Sequence, residues 1–448
     1  MSQQGPAGTN PPGQLLNVLG LAFGLAGSVG GTIGAGILRT PGLVAAQLPS
    51  SAWILTIWLL GGIYALLGAS CIAELAARFP RAGGWYVYAE AAFGRRVARI
   101  VGCCDWLAHC IGLAWVATTL GEYLAELLSC DSQLPAVTVL LLFTAVQWFG
   151  VRTGGASQEL LSLGKALAFL VLVLACFFLP LPGSNGAVPP VMPPLPSGSG
   201  SLMPIVVALQ AVITTYDGWA SPVYFAEEFK NPPQDLPRSL IGGVLSVMVL
   251  YLLINAALLH VLPVAALAQT TLPAAAAAEL VLGEQGRNWI TAVALLALLG
   301  LINTVVMAAP RILFGLSRDG YLPGFALAVN PGGTPTAALG LTVAFSVVLV
   351  LAGSFDQLLS IGAFLYVSLP LVGIGALLRL RQSQPEAARP YSCWGYPLAP
   401  LLVGLISLAF LVGALISDTG NALGAMGLVA AAALAAELSE RLALKPSP

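Results

Sequence analysis

Charge is the scarcest property of this chain: of 448 residues only 8% are Asp, Glu, Lys or Arg, against about 25% in ordinary soluble domains. Its 18 basic residues nearly balance 19 acidic ones, so no basic stripe exists to track a phosphate backbone, and nucleic acid is excluded as a partner. Histidine is almost missing, with only His109 and His260. No G-x-S-x-G, H-E-x-x-H or G-x-x-x-x-G-K-[ST] occurs, so no enzyme is expected and ATP does not drive the protein directly. Seven cysteines without a C-x-x-C pair imply neither a disulfide framework nor a zinc site, and no metal or cofactor is expected. The first residues carry no Lys, no Arg and no apolar core, so they are not a signal peptide; residues 1–13 read as a short cytoplasmic tail.

What is abundant is apolar surface, 58% of all residues, which makes the chain an all-α polytopic membrane protein. A span needs about 20 apolar residues, and twelve candidates fit: 14–45, 52–78, 97–127, 135–152, 157–180, 202–228, 239–262, 287–310, 336–353, 357–380, 398–417 and 420–440. Lys and Arg in short loops set orientation. With a cytoplasmic N-terminus, fifteen of them, including Lys445, fall inside and two, Arg39 and Arg287, outside, with Lys165 left within a span. Both termini are then cytoplasmic.

The first five spans recur as the next five at an offset of about 190 residues; because five is odd, the second set enters the bilayer from the opposite face, giving inverted repeats. Residues 14–180 form repeat 1, residues 202–380 repeat 2, and the Pro/Gly-rich segment 181–201 joins them outside the cell. Residues 381–397 form a cytoplasmic loop; residues 398–448 hold spans eleven and twelve and a short tail. Each repeat opens with a span interrupted at mid-length, by G-G-T-I-G-A-G-I at Gly30–Ile37 and by Y-D-G-W at Tyr216–Trp219. Freed backbone groups at membrane depth are tolerated where they line an enclosed cavity, so these breaks read as a ligand site. Close packing of small residues is the competing reading of the first break.

Ile33, Gly34, Ala35 and Gly36 offer a ligand mainly backbone, and the half-helix starting near Gly36 aims its N–H groups and positive end at a carboxylate. A half-helix ending near Thr214–Tyr216 presents carbonyls to an ammonium. Asp217 beside them has three open roles: contact with the substrate amine, a coupling-proton site, or a cap. Lys165, eight residues into a helix expected from Ser157, lies about 12 Å deep at 1.5 Å per residue and either finds a partner or snorkels. Glu74 is expected to form an ion pair with Arg78 or another basic residue, Asn303 to face the central cavity, and His109 either to relay protons or to be a hydrogen-bonded interior histidine. Glu227, Glu228, Lys230 and Arg238 either pair across an inner gate or form a solvated loop.

The first break, E-L-A-A-R-F-P-R-A-G-G-W-Y-V-Y at Glu74–Tyr88, Y-D-G-W with E-E-F-K-N-P-P-Q-D-L-P-R at Glu227–Arg238, and P-R-I-L-F-G-L-S-R-D-G-Y-L-P at Pro310–Pro323 together resemble the amino acid-polyamine-organocation (APC) superfamily, most of all its L-type amino acid transporter branch. The resemblance implies twelve transmembrane helices in a LeuT-type 5+5 inverted repeat with discontinuous helices 1 and 6, a substrate site between them, and alternating access. It implies Trp219 as a lid over the substrate, where an interhelical packing role is the alternative. It implies that Lys165 bridges helices one and eight where sodium-coupled relatives hold an ion. Relatives often carry serine at the position of Ala35, so only backbone contacts carry over there. Cys130 matches the place where some eukaryotic relatives tether an accessory heavy-chain subunit, but the Ala- and Leu-rich composition fits a bacterial carrier working alone.

The function expected is sodium-independent exchange of neutral L-amino acids across a bacterial inner membrane, with an amino acid and the lipid bilayer as partners. A proton-coupled symporter, a basic amino acid or polyamine exchanger, and an amino acid-binding receptor or scaffold remain the alternatives.

Overall fold

The computed structural model describes residues 14–34, 36–180, 203–352, 355–417 and 419–443. The expected tail 1–13, the joining segment 181–201, Ala35 and Lys445 lie outside them. Among the described residues the chain is all-helical: α1 Leu21–Thr32, α2 Gly36–Gln47, α3 Ser51–Arg78, α4 Trp85–Phe93, α5 Arg95–Leu128, α6 Gln133–Trp148, α7 Val151–Phe178 and α8 Met203–Tyr216. After a 3-10 helix at Ser221–Glu228 follow α9 Pro232–Val261, α10 Val264–Gln269, α11 Pro273–Leu282, α12 Glu284–Arg318, α13 Thr336–Ala352, α14 Phe355–Ser383, α15 Leu398–Ser417 and α16 Thr419–Ala443.

Polarity is arranged inside out. On α7, Leu160 is 72% and Phe178 79% exposed while Lys165 is 0% exposed, the pattern of a helix whose outer face meets hydrocarbon. Among the described residues six stretches are long and apolar enough to cross a membrane (α3, the Arg95–Ala125 part of α5, α7, α9, α12 and Phe364–Ser383 of α14), and α1 with α2, bent by 48°, makes a seventh. Shorter apolar helices occur at Gln133–Trp148, Pro273–Leu282, Thr336–Ala352 and Leu398–Gly413.

Several boundaries move from their expected places for readable reasons. Gly150, at φ +117°, ends α6, and α7 starts at Val151 rather than near Ser157. Gly154 and Gly155 look like a loop in sequence, yet they are helical and lie close against Gln147 and Phe23. Pro310 does not end α12, which runs on to Arg318. Pro232 opens α9 seven residues earlier than expected, at the first helical position that proline favours. Helices α4, α10 and α11 were not anticipated.

Several arginines gather where α3 and α12 end and α5 begins. Arg81 pairs with Asp319 at 2.6 Å and Glu90 at 3.4 Å, Arg318 with Glu227, and Tyr86 donates to Asp319 at 2.8 Å. Here the chain before α1 also meets the end of the 3-10 helix: Leu19 N–H donates to Glu228 O and Lys230 N–H to Leu19 O, both at 2.9 Å.

Candidate functional site

The two interrupted spans meet at their breaks. Gly31 in the last turn of α1 lies against Gly218, which follows α8 at φ +102°: a Cβ added to Gly218 would sit 2.2 Å from the Gly31 carbonyl oxygen, and one on Gly31 would sit 2.5 Å from the oxygen of Gly218. Only glycine combines that conformation with that approach. Side-chain hydroxyls take up the neighbouring carbonyls, Ser28 donating to Trp219 O at 3.0 Å and Ser221 to Gly218 O at 2.7 Å.

Opposite helix poles therefore lie side by side. The first N–H groups of α2, from Gly36 onward, have no intrahelical acceptors and form a positive end; the carbonyls closing α8 form a negative one. The two helices touch where a Cβ on Gly36 would meet Thr215 at 3.2 Å, and Thr40 and Thr215 share a 2.7 Å hydroxyl hydrogen bond. Tyr251 of α9 reaches both breaks, its hydroxyl lying 3.1 Å from Thr32 O and 3.2 Å from Thr215 O. Thr215 lies inside the expected Thr214–Tyr216 helix end, whereas nothing in the middle of an apolar span marks Tyr251.

Among the anticipated residues, Ile33 and Gly34 are buried in the gap between α1 and α2, Gly34 beside Leu301 of α12. Tyr216 is buried, donates to Trp58 O at 3.2 Å and packs on Tyr251 with ring centroids 5.0 Å apart. Thr214 is exposed and bonds back to Gln210 O at 2.9 Å; its neighbour Thr215 is the threonine held at the break. The Asp217 carboxylate lies beside the N–H of Gly218, the next residue in the chain. The Trp219 indole lies against Gly68 of α3, 3.3 Å from where a Cβ there would be, next to Val403 of α15.

Lys165 is deeper than expected. Counted from Val151 it lies about 21 Å along α7 at 1.5 Å per residue, too far to snorkel. Its Nζ donates to Gly30 O at 2.7 Å and Ile33 O at 2.8 Å, so an ammonium sits on the carbonyl end of α1, where a helix dipole favours a cation. A Cβ on Gly300 of α12 would lie 3.0 Å from that nitrogen. The hydrogen bonds thus run to α1, and α12 contributes a glycine that makes room.

Two anticipated residues stand elsewhere. Glu74 pairs not with Arg78 but with Arg381 of α14, at 2.8 and 2.6 Å, with Arg389 at 3.4 Å, and it accepts the Cys393 N–H at 2.8 Å; Arg78 bonds Gln384 instead. Asn303 is knotted between Gln147 (2.7 Å), Gln158 (2.8 Å) and Ser157 (3.1 Å). Its amide is consumed tying α6, α7 and α12 together and does not face a cavity. His109 is an interior histidine: Nδ1 lies 3.1 Å from Asp105 Oδ1, and the ring packs on Tyr224, whose hydroxyl donates to the same Asp105 oxygen at 3.0 Å. Glu228 and Arg311 form a fully buried ion pair at 2.9 Å, so the charges after the second break are not merely a solvated loop.

Comparison with known proteins bears directly on this arrangement. The family model described as amino acid permease matches residues 14–430. The chain is 30% identical over 415 residues to the serine/threonine exchanger SteT of Bacillus subtilis (strain 168), covering 90% of this chain and 92% of that one. It is 27% identical over 418 residues to the b(0,+)-type amino acid transporter 1 of Mus musculus, covering 89% and 83%. It is 26% identical over 411 residues to the methylthioribose transporter of Bacillus subtilis (strain 168), covering 86% and 85%.

Proposed function

The chain belongs to the amino acid permease family, an integral membrane family of carriers, and from that premise we propose that it exchanges neutral L-amino acids across the plasma membrane without sodium. The observation that carries this reading is the pair of opposed helix ends at the two breaks. A zwitterion is the cargo they suit: its carboxylate on the N–H groups from Gly36 onward, its ammonium on the carbonyls of Thr214–Tyr216. A relative named as a methylthioribose transporter shows that overall similarity alone does not choose the cargo; a thiosugar has neither charge to give these two poles.

Neutral side chains are favoured because the carboxylate nearest the site, Asp217, lies beside the Gly218 N–H and the other lining residues are small or aromatic. Sodium independence is favoured because the Lys165 ammonium already occupies the Gly30 and Ile33 carbonyls that a metal cation would need. Around this site the reading places twelve spans in two inverted five-span repeats, 14–180 and 202–380, with spans eleven and twelve following. The arginine-rich end faces the cytoplasm, as Lys and Arg in short loops require. The Glu228–Arg311 and Glu74–Arg381 pairs hold that end shut, and exchange proceeds by loosening it. A bacterial chain of this kind works without an accessory subunit.

Reconstituted vesicles decide the matter. Labelled alanine, serine, leucine, arginine and methylthioribose are offered in sodium-free buffer, with and without unlabelled amino acid inside. Uptake of a neutral amino acid that requires internal amino acid and ignores an imposed pH gradient is the expected result; uptake into empty vesicles that follows the pH gradient would replace exchange with proton symport.

A further inference from the structure

At the arginine-rich end two sulfurs face each other. Cys71 lies on α3, one helical turn before Glu74, and Cys393 lies in the segment between α14 and α15; their Sγ atoms are 3.4 Å apart and both are free thiols. The residues are separated by 322 positions in sequence, so the meeting is a product of the fold. It is held in place from both sides. Glu74 accepts the Cys393 N–H at 2.8 Å, Ser70 accepts the Trp394 N–H at 2.9 Å, and Ser70 and Tyr391 share a 2.8 Å hydroxyl hydrogen bond. A disulfide needs sulfurs about 2.05 Å apart, so the pair must close by a little over an ångström, a side-chain adjustment.

The two thiols are not equivalent. Cys393 lies beyond the spanning helices, and hydrogen bonding with Cys71 draws its thiol below the usual range, with Ser70 and Arg381 aiding and burial and Glu74 opposing. The thiolate is the nucleophile in such chemistry. Cys393, outside the spanning helices where Cys71 lies within α3, is the sulfur placed to attack an oxidant, and Cys71 the one to resolve the product.

We propose that Cys71 and Cys393 form a redox-modification site: a hydroperoxide converts them to a disulfide, and the disulfide arrests transport by joining α3 to the segment that links α14 and α15. In the first step the Cys393 thiolate attacks the terminal peroxide oxygen of the hydroperoxide; the O–O bond breaks, an alkoxide or hydroxide leaves and takes up a proton, and Cys393 becomes a sulfenic acid. The Cys71 sulfur then attacks that sulfenyl sulfur, the S–O bond breaks, and water departs. Two thiols have lost two electrons and the peroxide has gained them. A low-molecular-weight thiol reverses the change by thiol–disulfide exchange, leaving as its own disulfide. Arrest follows because the new bond lies beside the Glu74–Arg381 pair, across the boundary between α3 and α14 that must loosen if this end is to open; in this respect the proposal rests on the carrier reading above.

The test uses the full-length protein in proteoliposomes, treated with hydrogen peroxide, quenched with maleimide, digested and analysed by mass, with amino acid exchange measured on the same vesicles before and after dithiothreitol. The expected result is a linked Cys71–Cys393 peptide, loss of most exchange, recovery on reduction, and peroxide-insensitive exchange in both Cys71→Ser and Cys393→Ser. Absence of the linked peptide, or its formation with exchange unchanged, overturns the proposal. If a serine variant fails to fold, Cys71→Ala replaces it, since the linked-peptide readout on the unaltered chain does not depend on any variant. Reduced protein that exchanges nothing overturns the carrier reading, and arrest falls with it, while the linked peptide still reports on the thiols.

Discussion

Gly31 and Gly218 touch backbone to backbone, one glycine from each interrupted span, so close that a methyl group on Gly218 would lie 2.2 Å from the oxygen of Gly31. This contact brings the two helix ends side by side, and it makes both positions intolerant of any side chain.

Gly218→Ala is accordingly expected to abolish exchange. The positive φ alone costs an L-residue about 1–2 kcal/mol, and the clash forces the breaks apart. Gly20→Ala, where a Cβ meets nothing within 4 Å, is the control that keeps its activity. Uptake by both variants, normalised to protein in the vesicle, checks the contrast; equal activity would show that the breaks need not touch.

Lys165→Met removes two charge-assisted hydrogen bonds, each worth about 1.5–3 kcal/mol, from the carbonyl end of α1. Exchange is expected to fall at least about tenfold, the consequence of some 1.4 kcal/mol at the barrier. Gly300→Ala, which presses on the same nitrogen, is expected to slow exchange to a smaller degree. Intact kinetics in Lys165→Met would remove the lysine from the cycle.

The Glu228–Arg311 pair is 0% exposed on both sides. Losing one partner strands a buried charge, at a cost of about 3–5 kcal/mol. Glu228→Gln and Arg311→Met should each lower the midpoint of thermal unfolding in detergent, and the double variant should regain most of that loss. A double variant no better than the worse single one would show that the two do not act as a pair.

Asp217→Asn keeps an oxygen for the Gly218 N–H and removes the charge. Neutral uptake is expected to change by less than about threefold, within roughly 0.7 kcal/mol, and no basic amino acid should be gained or lost. Abolished uptake of an otherwise accepted basic amino acid would instead make Asp217 the anchor of a cationic side chain.

The breaks were legible because glycine clusters and Y-D-G-W are local signals within apolar runs. The placement of most Lys and Arg outside the apolar spans was legible too, because charge cannot sit comfortably in hydrocarbon. The partners were not. Glu74 finds Arg381 across 307 positions and Asn303 finds Gln147 across 156, and no local pattern marks such meetings. Lys165 was placed too shallow because Gly154 and Gly155 look like a loop in sequence, whereas in the fold their small size lets α7 press against its neighbours and begin earlier. Trp219 was ambiguous for a similar reason: whether an indole covers a ligand or a glycine depends on Gly68, far away on α3. The Ala-rich α11 carries a single charge, Glu279, and no clear periodicity, and so reads as a loop in sequence.

The halves of the two interrupted spans that point toward the arginine-rich end are fastened twice, at Gly31 against Gly218 and, at their far tips, through backbone hydrogen bonds of Leu19 with Glu228 and Lys230. Asn17 adds a third tie to Phe229 O at 2.5 Å. The two halves are thereby tied as one piece. Moving one while the other stays would strand backbone amides without partners, so the low-cost movement of the two is concerted.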